Sequence, residues 1–140
     1  MKTLRIFSFL FIGGALALSS CDKDDDDIAE TTLQKLQKVW KIDSIRTVFY
    51  TPPTEATITY TGQASDYYDF RTDGKLYTSV NGDKDTLAYN LLGSDTIVVT
   101  NNGSTDTGRI TTLNSSKLVG ITRFRLGGAN YNDVTANLSR

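Results

Sequence analysis

The 140-residue chain has no histidine, a single cysteine (Cys21), a single tryptophan (Trp40) and only two prolines, adjacent at Pro52 and Pro53. Each scarcity excludes something. Without histidine, the usual general base near neutral pH and the commonest transition-metal ligand are both missing. One cysteine cannot close an internal disulfide, and with no His or Cys partner it cannot build a zinc site. Serine, lysine and carboxylates remain for a Ser-Lys or paired-carboxylate mechanism, and Asp66, Asp69 and Asp73 lie close in sequence. Strand spacing, however, sets Asp69 on the face opposite Tyr68 and Phe70, and Asp73 belongs to an Asp-Gly turn that needs it for its own geometry. No GxxxxGK phosphate loop occurs. We therefore expect no catalytic residues, no metal and no cofactor.

Positive charge is also scarce where it would matter. Lys2 and Arg5 precede Cys21 and every acidic residue follows it, so beyond residue 20 thirteen basic side chains face sixteen acidic ones. That balance offers no basic patch for nucleic acid. The N-terminus itself has a basic start and an apolar run from Ile6 to Leu18. As a helix that run reaches about 20 Å, short of the roughly 30 Å hydrocarbon core of a bilayer, which fits a signal segment rather than a permanent span.

The end of that run and the three residues after it, Leu18-Ser19-Ser20-Cys21, resemble the bacterial lipobox, in which small residues precede a cysteine that is lipidated and becomes the mature N-terminus. That resemblance implies a membrane partner engaged through acyl chains on Cys21, with about 0.8 kcal/mol per buried methylene. The run Asp22-Lys23-Asp24-Asp25-Asp26-Asp27 is too densely charged to pack and is expected to be a hydrated tether. A calcium loop would need a turn glycine that is not there. The same run is similar to the export signal that sends lipoproteins of Bacteroidota to the outer face of the outer membrane. The expected organisation is signal peptide at 1–20, acidic tether at 21–27 and a folded domain at 28–140.

Within that domain, Leu33, Leu36 and Val39 recur every three residues, with Ile28 five residues before them and good helix formers between, predicting an amphipathic helix from Ile28 to Lys38. Thereafter Val, Ile, Thr and Tyr dominate, punctuated by TDGK (72–75), NGDK (81–84), LGSD (92–95), NNGS (101–104), NSSK (114–117) and GGAN (127–130). Asn-Gly and Asp-Gly supply the positive φ that tight hairpins require. Eight or nine strands result, with both prolines expected in a long connection between the first two. Alternation places Trp40 and Ile42 on one face, as it does Tyr68 with Phe70, Leu87 with Tyr89 and Leu91, Ile97 with Val99, and Leu118 with Phe124 and Leu126. A long meander with one apolar face rolls up and thereby loses its edges. The fold class is all-β, an up-and-down antiparallel barrel of about eight strands with a short N-terminal helix.

A helix leading into Trp40, then YYDFRTDGKLYTS, DTLAYNLLGSDTIVV and RITTLNSSKLVGI, is similar to the lipocalin-like lipoproteins of Bacteroidota over roughly Leu33 to Leu126. The chain departs from that pattern where a glycine usually stands two residues before the tryptophan; here it is Lys38. The resemblance implies a barrel floor in which an arginine stacks on Trp40, with Arg123 and Arg125 as the candidates. It also implies a calyx for a small hydrophobic ligand, lined by Trp40, Tyr68, Phe70, Leu87 and Tyr89, residues that would equally serve as core in a filled barrel. The alternative is a non-catalytic module that binds a glycan or a protein through outward tyrosines such as Tyr60, Tyr67 and Tyr77.

Overall fold

The computed structural model describes residues 30–140. The signal segment, Cys21, the acidic run and Ile28 lie outside the described residues. The helix is shorter than the periodicity predicts: α1 spans Thr32–Leu36. Thr31 and Gln34 form a reciprocal capping box, with Gln34 N–H donating to Thr31 Oγ1 (3.2 Å) and Thr31 N–H to Gln34 Oε1 (2.8 Å). At its other end the helix stops in a bend at Gln37 and Lys38 that delivers the chain into the sheet: Phe70 N–H donates to the Lys38 carbonyl and Val39 pairs with Asp69. Leu36 is fully buried, whereas Leu33 and Val39, assigned to the same apolar face, are exposed.

Nine strands follow: β1 (Val39–Thr51), β2 (Thr54–Thr61), β3 (Tyr67–Phe70), β4 (Lys75–Val80), β5 (Asp83–Leu92), β6 (Thr96–Asn101), β7 (Ser104–Leu113), β8 (Lys117–Gly127) and β9 (Asn130–Ser139). All pairings are antiparallel: β1 pairs with both β2 and β3, each strand from β3 to β8 pairs with the next, and β9 closes back on β1. The nine occupy eight positions around the barrel. β2 and β3 lie end to end along one edge of β1, β2 against Ser44–Thr51 and β3 against Val39–Lys41. The break between them is a loop at residues 62–66. A Cβ on Gly62 would sit 1.7 Å from the Ile42 carbonyl oxygen, so only glycine lets the loop fold so closely against β1.

The prolines correct an expectation. Thr51 pairs directly with Thr54, which makes Pro52-Pro53 a two-residue hairpin turn instead of a long connection. The Asn-Gly dipeptides behave as anticipated: Asn81 (φ 52°) and Gly82 (φ 89°), like Asn102 (φ 47°) and Gly103 (φ 84°), both hold positive φ, the signature of a type I′ turn. These turns, with Pro52-Pro53 and the β8–β9 turn, gather at the barrel end away from α1.

The buried core is concentrated at the helix end. Leu36, Trp40, Ile42, Phe70, Leu76, Tyr89, Ile110, Leu118 and Leu138 form one cluster there. Beyond it, Leu87, Ile97 and Val99 are only partly covered, and Phe49 and Ile58 near the hairpin tips are 38% and 62% exposed.

Candidate functional site

A cavity of about 250 Å³ runs along the barrel axis above that core. Its lower wall is Leu36, Phe70, Leu76, Ile110, Leu118 and Leu138; its middle is Tyr68, Leu87, Ile97, Gly108, Gly120 and Ala136; towards the hairpin tips it is lined by Thr78, Val99, Asp106, Thr122, Phe124 and Val134. The gradient from fully buried leucines to half-covered threonines and an exposed aspartate gives the hollow one closed end and one mouth. Two glycines help to make it. Gly120 has no atom within 4 Å of where its Cβ would stand, so the space it leaves belongs to the cavity. Gly108, by contrast, faces Thr122 Oγ1 at 2.6 Å from such a Cβ and is required for close packing.

The floor is a hydrogen-bonded plug. Trp40 Nε1 donates to the Leu36 carbonyl (3.0 Å), satisfying a backbone acceptor at the helix C-terminus. Tyr89 Oη donates to the Arg71 carbonyl (2.8 Å) and accepts from Gln37 Nε2 (3.2 Å), tying the β3–β4 turn to the end of α1. The Phe70 and Tyr89 rings meet edge to face at 5.2 Å.

Of the five ligand-contact candidates, then, Tyr68, Phe70 and Leu87 line the hollow, while Trp40 and Tyr89 lie beneath it and hold its base. Burial raises the Tyr68 phenol above its ordinary 10.0, so it stays a neutral hydroxyl at the cavity wall at physiological pH. The arginine over the Trp40 ring is Arg140, at 5.8 Å from the centroid, and not Arg123 or Arg125. Register is the reason. Leu118 and Leu138 stand at the floor, and five to seven further residues of β8 carry Arg123 and Arg125 towards the opposite end, whereas Arg140 follows directly after Ser139. Its backbone N–H and Nη1 are fixed on Ser116 and Ser115 carbonyls (3.2 and 3.1 Å). Arg123 instead forms a two-pronged pair with Asp133 (2.6 Å each) and covers the Tyr131 ring at 4.1 Å on the outer wall.

At the mouth, the gap between β2 and the β4–β5 tip is bridged by Asp66. This buried carboxylate accepts from Tyr60 Oη, Gln63 N–H (2.8 Å) and Asn81 N–H (3.0 Å). The tyrosine hydrogen bond, reinforced by the two amides, holds Asp66 below its usual 3.8 despite its burial, and the same bond holds the Tyr60 phenol above 10.0. Tyr60, expected on the outer face, stands opposite Ile45 and so shares the inward face, because the register shift after Ile42 turns Ile45 towards the core; Tyr77 does face outward and donates to Asp73 (3.2 Å) under the Arg71 guanidinium.

Much of the lining comes from the second half of the chain, which was assigned inward faces at Ile97, Val99, Leu118 and Phe124 without a ligand role. The alternation Val134, Ala136, Leu138 carried the signal for β9. No protein-family model matches the chain, and no curated protein sequence does. Among solved structures, a bovine odorant-binding protein (a deswapped triple mutant) is similar at 16% identity and a TM-score of 0.49, over 76% of this chain and 74% of that one. At that degree of superposition the likeness adds nothing to the strand order; what the coordinates establish by themselves is an eight-position up-and-down barrel, plugged at the helix end and hollow above.

Proposed function

We propose that this is a lipocalin-like binding lipoprotein, anchored through lipidated Cys21 to the outer membrane and exposed at the cell surface, which takes a small hydrophobic ligand into its barrel and performs no catalysis. The observation that carries the proposal is the one-ended apolar cavity. Its volume of about 250 Å³ exceeds the roughly 150 Å³ that suffices for benzene and falls just short of the range of about 300–1,000 Å³ for drug-sized ligands. A compact or medium-length aliphatic molecule fits that space. The hollow also disfavours the interaction-module alternative, which assumed a filled barrel and outward tyrosines; Tyr60 lies on the inward face with Ile45 and donates to Asp66, and Tyr77 is committed to Asp73. The anchor rests on the lipobox-like LSSC and the acidic run that follows it.

Calorimetric titration with straight-chain primary alcohols tests the binding proposal. Each methylene buried contributes about 0.8 kcal/mol, so affinity should rise about fourfold per carbon and level off once the hollow is full. No saturable binding at any chain length, or no dependence on length, would refute it. Mass spectrometry of the mature N-terminus tests the anchor: Cys21 carrying acyl chains is expected, and an unmodified thiol in membrane-derived protein would remove the localisation.

A further inference from the structure

The inner wall of the barrel carries charge of one sign. On β5, Asp83 and Asp85 fall on the face that Leu87 and Tyr89 share. On β7, Asp106 lines the cavity two residues from Gly108. Asp85 Oδ2 accepts from the Asn101 amide (3.1 Å), which stands on the inward face of β6 with Ile97 and Val99. All three carboxylates sit at the hairpin-tip end, around the mouth, and among the described residues none is in an ion pair. Strand lysines and arginines, in contrast, point outward. Arg46 reaches Thr57 on the outer side of β2, Arg109 pairs with Asp95, and Arg123 pairs with Asp133. Lys41, Lys75, Lys84, Lys117 and Arg125 each stand next in sequence to an inward position and therefore face away from it.

An apolar hollow whose ionised neighbours among the described residues are carboxylates attracts a cationic headgroup and repels an anionic one, and low-dielectric walls focus that preference at the entrance. We infer that the ligand is an amphiphile with an aliphatic body and a positively charged amine head, held with the chain down in the cavity and the amine among Asp83, Asp85 and Asp106. This rests on the cavity being a binding site, as proposed above, and adds the charge class of what it binds. A carboxylate-headed lipid would find no cation on the inner face among the described residues.

Octylamine, octanol and octanoate, titrated into the purified chain at neutral pH in low-salt, detergent-free buffer, separate the two levels of the claim. Octylammonium should bind at least tenfold more tightly than octanoate, with octanol between them. The gap should narrow in 1 M salt, where screening acts over about 3 Å. Replacing the three carboxylates together (Asp83→Asn, Asp85→Asn, Asp106→Asn) should bring the amine-to-carboxylate ratio to within about twofold of one, a readout that a general loss of fold does not produce. Octanol binding without that order, octanoate binding as tightly as the amine, or a ratio that survives the triple substitution would overturn the inference and leave the cavity standing. Failure of all three compounds to bind would overturn both.

Discussion

The two ends of this barrel are made from the same alternating strands and differ in what fills them. At the helix end, Leu36, Trp40 and Leu138 are almost wholly removed from water, and each polar group in the plug has a partner: indole to carbonyl, phenol to carbonyl, amide to phenol. At the hairpin-tip end, Phe49 and Ile58 remain exposed and the wall turns from leucine to threonine and aspartate. Stability is therefore concentrated below and opportunity for binding above. A barrel of eight positions is just wide enough for either outcome; here one end takes each.

Substitutions that exploit this contrast should have unequal effects. The largest is expected at the floor. Trp40→Ala removes a fully buried indole and its hydrogen bond to Leu36, and should cost about 3–5 kcal/mol in denaturant unfolding; a cost below about 1 kcal/mol would mean the plug is not what holds the barrel. Next comes the staple at the mouth. Asp66→Ala strands the Gln63 and Asn81 amides and the Tyr60 hydroxyl, so the Asn81 amide should exchange hydrogen faster while amides at the floor do not. Uniform acceleration at both ends would show that the two are not separable.

The same staple predicts a pH dependence. Asp66 has a folded pKa below its unfolded value of about 3.8, so its stabilising contribution is complete above that pH and disappears as the pH falls through the lower folded value. Tyr60, held above 10.0, contributes fully below that pH and loses its contribution as the pH rises through its raised folded value. Acid and alkaline unfolding curves of Asp66→Ala should therefore both be flatter than those of the parent chain in these windows; parallel curves would contradict the assignment. A smaller effect is expected from Arg140→Ala, about 0.5–1 kcal/mol, for loss of the contact with the Trp40 ring.

The parts of this architecture that depend on local pattern were open to sequence reasoning. Alternation in TLAYNLL and TIVV put Leu87, Tyr89, Leu91, Ile97 and Val99 inward, and the Asn-Gly pairs marked hairpins at Asn81 and Asn102. Features that depend on register or volume were not. Whether Arg123, Arg125 or Arg140 reaches Trp40 is decided by how far β8 has climbed from Leu118, a count that needs the pairing itself. The end-to-end placement of β2 and β3 rests on one close approach at Gly62, and the Pro52-Pro53 hairpin on Thr51 meeting Thr54. Trp40 and Tyr89 have the composition of a ligand wall but sit one layer too low. The hollow itself depends on what Gly120 leaves empty, which no periodicity announces.

That glycine offers the most direct test of the hollow-above-plug account. Gly120→Leu projects a side chain into the cavity from a position with nothing in its way, so the variant should be at least as stable as the parent. Octanol titrated calorimetrically into both chains should give single-site saturable binding with a negative heat-capacity change in the parent and at least tenfold weaker binding in Gly120→Leu. Equal binding by the two chains, or none by the parent, would contradict the claim that the upper half of this barrel is a binding cavity.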